Sequence, residues 1–495
     1  MNLTTAEDLL QEANRYVEKN KAGVNPRYRH QFHLMAPIGW INDPNGVVYY
    51  KGEYHVFYQH NPFDSAWGPM FWGHAKSKDL IHWQELPIAL APDQWYDLDG
   101  CFSGSAIEKD GKLYLLYTGH RVIDGQTYQR QCLAVSDDGI HFSKSAHNPV
   151  IAEELLGQHG EIKDFRDPKI FQKGNKYYTV VASKTPQETG RILLFSSDNL
   201  TDWQFVSVVL EGTPEQGIMW ECPDLFHLDG SDVLIISPIQ MPQAGLEYHN
   251  ISSTVAFIGE MDWQTGKFQT ENYHEIDRGF DFYAPQTLED DKKRRIMIAW
   301  MQLWDRAIPS HDLGHGWSGA MTLPRELKVK NQRLIQKPIS EVYANIEYLY
   351  GVENLVVAGE SLRLKKVMGD NTYLQLVCDL SASQSFVLEL AKNQESAIRL
   401  SYDKGSEILT LSRENFGYAL LGAEKEPLVS RSVQVPLINQ CLTLEIFRDT
   451  ASLEIFANAL ETLTMTFYEK TAGQEMAFEA EGQLTIQSLE IGRVI

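Results

Sequence analysis

The carboxylate of Asp43 stands between an indole, a carboxamide and a Pro-Asn-Gly turn in residues 40–46. Proline presets φ, and asparagine and glycine tolerate positive φ, so this tripeptide favours a tight and rigid turn. A strand pattern follows at once in residues 47–50. We therefore expect Asp43 at a fixed strand end beside the ring of Trp40, where it could attack or bind a sugar. The alternative is that Asp43 only stabilises the turn.

Glu221 is a second candidate, because hydrolysis of a glycosidic bond needs two carboxyl groups in opposite protonation states. One is ionised and attacks the anomeric carbon, and the other donates a proton to the leaving oxygen. Asn42 and the turn amides can hydrogen-bond to an ionised Asp43, which predicts a low pKa for that group. Glu221 follows Trp220 and precedes Cys222, and a poorly polar environment favours the protonated form that a general acid needs.

Asp167 is a third candidate, and it directly follows Arg166. Pairing with the guanidinium is expected to keep this carboxylate ionised. An ionised carboxylate suits hydrogen bonds from sugar hydroxyls better than proton transfer.

A repeated pattern predicts the elements that hold these residues. A polar turn followed by a short apolar strand recurs five times at a spacing of about 60 residues, in 52–58, 111–117, 174–181, 230–236 and 294–300. A second motif, with serine, an acidic or amide residue and an aromatic residue, recurs in phase in 77–83, 136–142 and 197–203. Periodic units of short strands are typical of β-propeller blades, and five periods predict five blades.

Carboxylates precede four of the five repeated strands: Asp43, Asp167, Glu221 and Asp281. The second unit has residues 102–105, Phe-Ser-Gly-Ser, in that place. If the first strand of each blade lines the central channel, these residues converge at one mouth of it. The alternative is that they are structural turn residues, which propellers also use.

The chain is predicted to be all-β, a five-bladed β-propeller followed by a C-terminal β-sandwich, with a short N-terminal helix. An apolar face predicts the helix over residues 5–19, within an N-terminal segment of residues 1–29. The propeller is expected in 30–335 and a linker in 336–350. Alternating strands separated by polar turns predict the sandwich in 351–495, without a catalytic constellation.

Charge and cysteine content limit the partners. Lysine and arginine total 44 against 66 aspartate and glutamate, a net charge of −22, without a basic run. Nucleic acid and membranes are therefore not expected as partners. Five scattered cysteines without a Cys-x-x-Cys pair, and no recognisable export signal or long apolar run, predict a cytoplasmic protein.

No cofactor and no metal are predicted. The pairs His30/His33 and His311/His315 lack the partners of known zinc motifs, and structural histidines explain them better. No nucleophile elbow, phosphate-binding loop or dinucleotide motif is found. A metal-dependent propeller enzyme is kept as an alternative.

Five motifs in order resemble glycoside hydrolase family 32, the invertases and fructan hydrolases: residues 40–46, 59–62, 102–105, 166–168 and 220–224. The resemblance implies the same propeller and sandwich, and retaining hydrolysis of β-fructofuranosides. By motif position it makes Asp43 the nucleophile, Glu221 the acid/base and Asp167 the transition-state stabiliser. The residues expected to bind substrate are Asn42, Gln59, Trp67, Phe102, Ser103 and Arg166, together with Tyr283 and Trp304 at the channel mouth.

The expected substrate is a small sugar or sugar phosphate, sucrose 6-phosphate or sucrose. A fructan hydrolase, a fructosyltransferase and a non-catalytic sugar-binding propeller are kept as alternatives, and a homodimer is left open. Residues 447–456 depart from the Val-Asp-Arg-Ser-Ser-type strand of many family members, which weakens inference about the sandwich. Phosphate contacts are not identified from sequence; Arg130, Lys184, His249 and Arg306 are only basic residues in expected mouth loops.

Overall fold

The computed structural model of the protein describes residues 6–424 and 426–495. An N-terminal helix spans Ala6–Asn20, and residue 5, where the predicted helix begins, lies outside the described residues. Ala13 and Val17 are buried against Ile88 of the first blade, so the predicted apolar face packs on the propeller. No helix in the part of the chain that the structure describes is long and apolar enough to span a bilayer.

The predicted five-bladed propeller is confirmed, since five separate antiparallel sheets follow one another along the chain. Blade I contains Gly39–Tyr50, Glu53–Asn61, Phe71–Ser77 and Trp83–Leu90; blade II contains Gly100–Lys109, Lys112–Ile123, Gln126–Ser136 and Ser143–Lys144; blade III contains Arg166–Lys173, Lys176–Lys184, Gly190–Ser197 and Trp203–Glu211; blade IV contains Met219–Leu228, Ser231–Ile239, Val255–Asp262 and Lys267–Glu275; blade V contains Tyr283–Glu289, Arg295–Trp300, Arg325–Lys330 and Arg333–Pro338. Each repeated strand of the sequence is the second strand of its blade.

The first strand of each blade is innermost, and these five strands contact one another around the central channel. The ring is closed between blades V and I. There Trp317–Ser318 pairs in parallel with the start of Gly39–Tyr50. The first strands therefore bring residues that are far apart in sequence to one end of the channel.

Apolar clusters fill the spaces between neighbouring blades. Between blades I and II, for example, Phe57 and Trp72 pack against Leu115 and Tyr117. Equivalent clusters lie between each later pair and between blades V and I. Burial of apolar area stabilises folding by about 25 cal/mol per Å², so these clusters hold the blades together and fix the inner strands.

The C-terminal β-sandwich is also confirmed, but two of its strands are much longer than the short strands predicted. Thr372–Lys392 and Glu475–Val494 pair with each other along most of their length. The first half of Thr372–Lys392 pairs with Cys441–Asp449 and its second half with Ile398–Asp403, so each half belongs to a different layer. The remaining strands are Ile346–Ala358, Leu362–Leu364, Ile408–Ser412, Ser430–Gln434, Ser452–Ala457 and Glu461–Thr466.

The last propeller strand ends at Pro338 and the first sandwich strand begins at Ile346. The predicted domain boundaries remain a prediction. The ends of these two strands favour a connection between the domains that is shorter than the predicted linker of residues 336–350. Short helices occur at Lys21–Gly23, Glu153–Leu156, Ile162–Asp164, Pro214–Gln216, Pro309–Asp312 and Ser340–Ala344.

Buried polar groups join the two domains. His33 lies between Asp449 and Glu454 of the sandwich, with both ring nitrogens 2.8 Å from a carboxylate oxygen. Arg325 of blade V pairs with the same Glu454. Asp449 and Glu454 lie in the segment that departs from the family pattern, and in this chain they bind the propeller across the interface between the domains.

Candidate active site

The opening residues of all five inner strands meet at one end of the channel, and each of these strands is irregular at that point. Register shifts occur between Ile41 and Pro44 in blade I, and between Glu221 and Asp224 in blade IV. Register shifts also occur in the inner strands of blades II, III and V, within residues 102–104, 166–169 and 283–286. A β-bulge bends its strand and re-aims a side chain, so the bulges of blades I to IV turn Asp43, Ser103, Asp167 and Glu221 into the channel mouth.

Asp43 is buried and accepts three hydrogen bonds. Asn42 Nδ2 lies 3.0 Å from its Oδ1, and Ser103 Oγ lies 2.7 Å from its Oδ2. The third donor is the Cys222 thiol. Trp40 Nε1 fixes Asn42 in turn, at 2.7 Å from its Oδ1. Burial nevertheless raises the pKa of Asp43, although the Ser103 hydrogen bond opposes this shift, and the charge of Glu221 raises it further. The low pKa predicted from sequence is therefore wrong, because the loss of water outweighs the donors.

Glu221 faces charged and polar groups rather than the apolar surroundings predicted from its sequence neighbours. Arg166 donates to its Oε1 from Nε at 3.1 Å and from Nη2 at 2.9 Å. Tyr283 donates from its hydroxyl to Oε2 at 2.6 Å. Trp220 precedes Glu221 in the chain, but a strand sends adjacent side chains to opposite faces. Its indole therefore packs in the core between blades III and IV and does not surround the carboxylate.

Asp167 lies farther from Arg166 than Glu221 does, with 4.0 Å between Arg166 Nε and Asp167 Oδ2. Burial raises the pKa of Asp167 to about 7; Arg166 opposes this shift, and the charges of Glu221 and Asp43 add to it. The prediction that Arg166 keeps Asp167 firmly ionised is therefore wrong. The guanidinium is oriented mainly toward Glu221, which leaves Asp167 with a weaker counter-charge.

Cys222 connects the two aspartates. Its backbone N–H donates to Asp167 Oδ2 at 3.0 Å, and its Sγ lies 3.6 Å from that oxygen and 3.5 Å from Asp43 Oδ2. The residue has φ +49°, a left-handed conformation that non-glycine residues rarely adopt. The bulge in the inner strand of blade IV thus supplies the thiol and the amide that hold both carboxylates.

A cavity of about 380 Å³ opens above the three carboxyl groups. Of the predicted site residues, Asp43, Asp167, Glu221, Asn42, Gln59, Trp67, Phe102, Ser103, Arg166 and Trp304 line it. Trp67 is half exposed at the rim. Trp304 stacks on Trp40 with ring centroids 5.9 Å apart. The cavity therefore has carboxylates at its floor and aromatic walls, an arrangement suited to a sugar ring.

Tyr283 is fully buried and does not line the cavity, so its predicted contact with substrate is not seen. It lies behind Glu221 and holds that carboxylate. Asp281 does not reach the channel mouth either. It accepts from Arg306 and from Arg413 of the sandwich, at 2.8 and 2.7 Å. It precedes the inner strand of blade V, which begins at residue 283, and the sandwich draws it away.

None of the four basic residues named from sequence lines the cavity. Arg130 pairs with Glu153, and Lys184 pairs with Glu188 at 3.0 Å. Arg306 is buried in the domain interface. His249 Nε2 lies 3.0 Å from the carbonyl oxygen of residue 245.

Four residues that line the cavity were not predicted from the sequence: His120, Gln129, Lys163 and Asp164. Lys163 and Asp164 stand just before the Arg166 motif, and this adjacency was an available signal. His120 and Gln129 lie on the second and third strands of blade II, and no pattern in the sequence marks them.

Comparisons with known proteins agree with this architecture. The model of the glycosyl hydrolases family 32 N-terminal domain matches residues 33–338, and that of the family 32 C-terminal domain matches residues 351–492. Sucrose-6-phosphate hydrolase of Bacillus subtilis is 38% identical over 96% of this chain and 97% of its own length.

Two solved structures are similar in fold. A variant of the Bombyx mori GH32 beta-fructofuranosidase BmSUC1 in complex with sucrose has a TM-score of 0.82 and 31% identity, covering 98% of this chain and 97% of its own. Sucrose-6-phosphate hydrolase from Lactobacillus gasseri has a TM-score of 0.84 and 27% identity, covering 99% and 96% of the two chains. The chain belongs to glycoside hydrolase family 32.

Proposed function

We propose that the protein is a retaining β-fructofuranosidase that cleaves sucrose 6-phosphate or sucrose. The observation that carries the proposal is the convergence of Asp43, Glu221 and Asp167 at the floor of one sugar-sized cavity. Relatives over nearly the full chain are named sucrose-6-phosphate hydrolases, and a similar structure holds sucrose. Both facts support this substrate class.

In the proposed first step, a carboxylate oxygen of Asp43 attacks the anomeric carbon of the fructosyl unit. The bond to the glycosidic oxygen breaks, and protonated Glu221 donates its proton to that oxygen, so the leaving sugar departs neutral at this atom. Asp43 is held for attack because Asn42 and Ser103 each bind one of its oxygens. Proximity and orientation of this kind supply a large part of catalysis.

In the proposed second step, Glu221 is a carboxylate and removes a proton from water, which attacks the fructosyl carbon. The bond to Asp43 breaks, and fructose leaves with its configuration retained. Asp167 is proposed to stabilise the positive charge that develops on the sugar ring in both transition states. Arg166 and Tyr283 are proposed to position Glu221 through its two oxygens.

The decisive test is the product formed from sucrose, sucrose 6-phosphate and inulin by the wild-type protein and by Asp43→Asn and Glu221→Gln. We expect rapid release of fructose from one or both sucrose compounds, with the β-anomer detected first by NMR. Either substitution is expected to lower kcat by about 10³-fold or more, as removal of a catalytic group does. Near-wild-type activity in either variant would refute the assignment, and an α-anomer formed first would refute retention.

The predicted cytoplasmic location and a homodimer remain predictions. If inulin or transfer to a second sugar dominated the product assay, the protein would instead be a fructan hydrolase or a transferase of the same fold.

A further inference from the structure

The charged groups of the cavity raise a question about an anionic substrate. Four carboxyl groups line it, Asp43, Asp164, Asp167 and Glu221, against two cations, Arg166 and Lys163. A phosphate monoester carries about −1.5 to −2 charge near neutral pH. Such a group would be repelled by the carboxylates unless a cation at the mouth binds it.

Arg166 already donates hydrogen bonds to three groups within the site. Its guanidinium donates to Glu221, to Gln129 Oε1 at 3.2 Å and to Asp164 Oδ1 at 3.3 Å. An arginine that holds three acceptors has little capacity left for a phosphate. Withdrawing it would also release Glu221, the proposed acid/base.

Lys163 is the other cation of the cavity, and among the described residues its ammonium is in no ion pair. Its side chain is exposed, and across the described part of the chain no carboxylate lies within 4.0 Å of its ammonium. Three of the basic residues that the sequence suggested lie outside the cavity and are paired with carboxylates: Arg130, Lys184 and Arg306. An exposed ammonium at the rim of an acidic cavity is therefore available for an anionic ligand.

The backbone that carries Lys163 is anchored. It lies in the short helix Ile162–Asp164, next to the fully buried Phe165. Gln131 Nε2 donates to the carbonyl oxygen of Phe165 at 2.9 Å. The lysine thus stands at a fixed distance from the inner strand of blade III, with only its flexible side chain free to reach a ligand.

Lys163 lines the same cavity as Glu221, next to which the leaving group must lie. Glu221 has to contact the glycosidic oxygen in order to protonate it, so the leaving sugar extends from Glu221 toward the opening. Lys163 is three residues from Arg166, which holds Glu221. A phosphate on the leaving sugar would therefore lie in the cavity that Lys163 also lines.

We propose that Lys163 binds the phosphate group of a phosphorylated leaving sugar and gives the site its preference for sucrose 6-phosphate over sucrose. This inference rests on the proposed function. Asp164, adjacent and facing the same cavity, is suited to accept hydrogen bonds from the hydroxyls of that sugar. The ligand is a phosphate monoester, and the free ammonium is its recognition element.

The test compares kcat/KM on sucrose 6-phosphate with kcat/KM on sucrose in wild type, Lys163→Met and Lys163→Arg. We expect Lys163→Met to lower the ratio of the two values by about 10- to 100-fold, as the loss of a charge-assisted hydrogen bond does. Lys163→Arg keeps the charge and is expected to restore most of the ratio. Added salt should lower the wild-type ratio more than the Lys163→Met ratio.

Lys176→Met is the matched control, because it removes an exposed lysine of blade III that pairs with Asp198 at 3.8 Å and lies outside the cavity. It should leave the ratio unchanged. A ratio in Lys163→Met within twofold of wild type would overturn the inference while the proposed function stands. Failure of the wild-type protein to cleave either compound would overturn the proposed function, and the inference with it.

Discussion

Asp43 and Asp167 lose water on burial, and the guanidinium of Arg166, which is bound mainly to Glu221, compensates them little. Arg166 is 2.9 Å from Glu221 and 4.0 Å from Asp167. The buried aspartates therefore hold protons more tightly than ordinary aspartates, and the pKa of each is raised. Proton binding in the free site is a property of this group of carboxylates, and it can be followed through the acid side of the pH profile.

We expect kcat/KM to fall as the pH drops through about 7, the pKa of Asp167. Protonation removes the charge that is proposed to stabilise the transition state, and kcat/KM reports groups of the free enzyme. The measurement is a pH profile of initial rates at low substrate. Asp167→Asn should lose most activity, and the acid limb of what remains should move to lower pH, because one repelling charge near Asp43 is gone. A wild-type profile that is flat down to pH 4 would contradict this account.

Ser103 provides a second prediction at the residue scale. Its hydroxyl donates to Asp43 Oδ2 and favours the ionised carboxylate. In Ser103→Ala the pKa of Asp43 should rise further, and because Asp43 and Asp167 titrate as one group, the acid limb that they share should move to higher pH. At a pH on the acid limb, kcat/KM of Ser103→Ala should be about tenfold lower than that of wild type, which is the effect of one hydrogen bond to a charged group. Ser103→Thr keeps the hydroxyl and should restore the acid limb of the wild-type pH profile. An acid limb at the same pH in all three proteins would exclude an effect of Ser103 on the ionisation of Asp43.

At the scale of the element, glycines make room for the strand that carries Glu221. Trp220 is fully buried, and its Nε1 donates to the carbonyl oxygen of Gln216 at 2.7 Å. A Cβ on Gly190 would lie 2.2 Å from the Trp220 ring, and one on Gly212 would lie 2.6 Å from it. The indole fills a slot between two glycine backbones, and this slot fixes the strand at the residue before Glu221.

Gly190→Ala is expected to displace Trp220 and to move Glu221 with it. Overpacking of this kind costs roughly 1–3 kcal/mol, and a shift of about 1 Å at a catalytic group can cost about 10²-fold in rate. We expect kcat to fall about 10- to 100-fold when measured well below the melting temperature, together with a lower melting temperature. Gly351→Ala is the control, since this strand glycine has only Leu489 O near its Cβ position, at 3.9 Å. Full activity in Gly190→Ala would show that the slot does not position Glu221, the proposed acid/base.

The repeated pattern was enough to predict the five blades, because each polar turn with its apolar strand is a local feature of the chain. The bulges could not be predicted in the same way, because a bulge depends on the register with the neighbouring strand. This explains why Asn42, the chain neighbour of Asp43, was predicted as a donor to it. The partners from other blades were not predicted: Ser103 and Cys222 for Asp43, and Arg166 and Tyr283 for Glu221. It also explains Asp281, which occupies an equivalent place in the repeat but precedes its inner strand and is bound by Arg306 and Arg413.

At the scale of the whole molecule, buried ion pairs fix the sandwich against the propeller. Arg431 of the sandwich pairs with Glu275 at 2.9 Å, and both side chains are almost fully buried. Arg413 and Arg325 make equivalent pairs with partners in the opposite domain. Breaking one buried pair leaves an unpaired charge and is strongly destabilising. The alternation of the strands predicted the sandwich, but these contacts join residues far apart in the chain and carry no local signal.

His33 makes the junction of the domains sensitive to pH. Burial by itself would lower the pKa of His33, but hydrogen bonds to Asp449 and Glu454 outweigh it and raise the pKa to about 9 from 6.5. Burial opposes ionisation of both carboxyl groups, but the His33 hydrogen bond lowers the pKa of Asp449, and the charge of Arg325 followed by the His33 hydrogen bond lowers that of Glu454. The neighbouring His30 has a pKa lowered by burial to about 4 and stays neutral. The protonated His33 thus stabilises the fold fully below pH 6.5, and this contribution is lost as the pH rises through about 9.

His33→Gln should therefore destabilise the protein most at pH 6 and least near pH 10, where the wild-type imidazole is itself neutral. The shift of the His33 pKa corresponds to about 3 kcal/mol at most, from about 1.4 kcal/mol per pH unit. We expect the difference in urea midpoint between wild type and His33→Gln to shrink steadily over this range. His147→Gln, at an exposed histidine, is the control and should differ from wild type equally at every pH. A His33→Gln difference that is constant from pH 6 to pH 10 would show that the buried histidine is not held protonated between the domains.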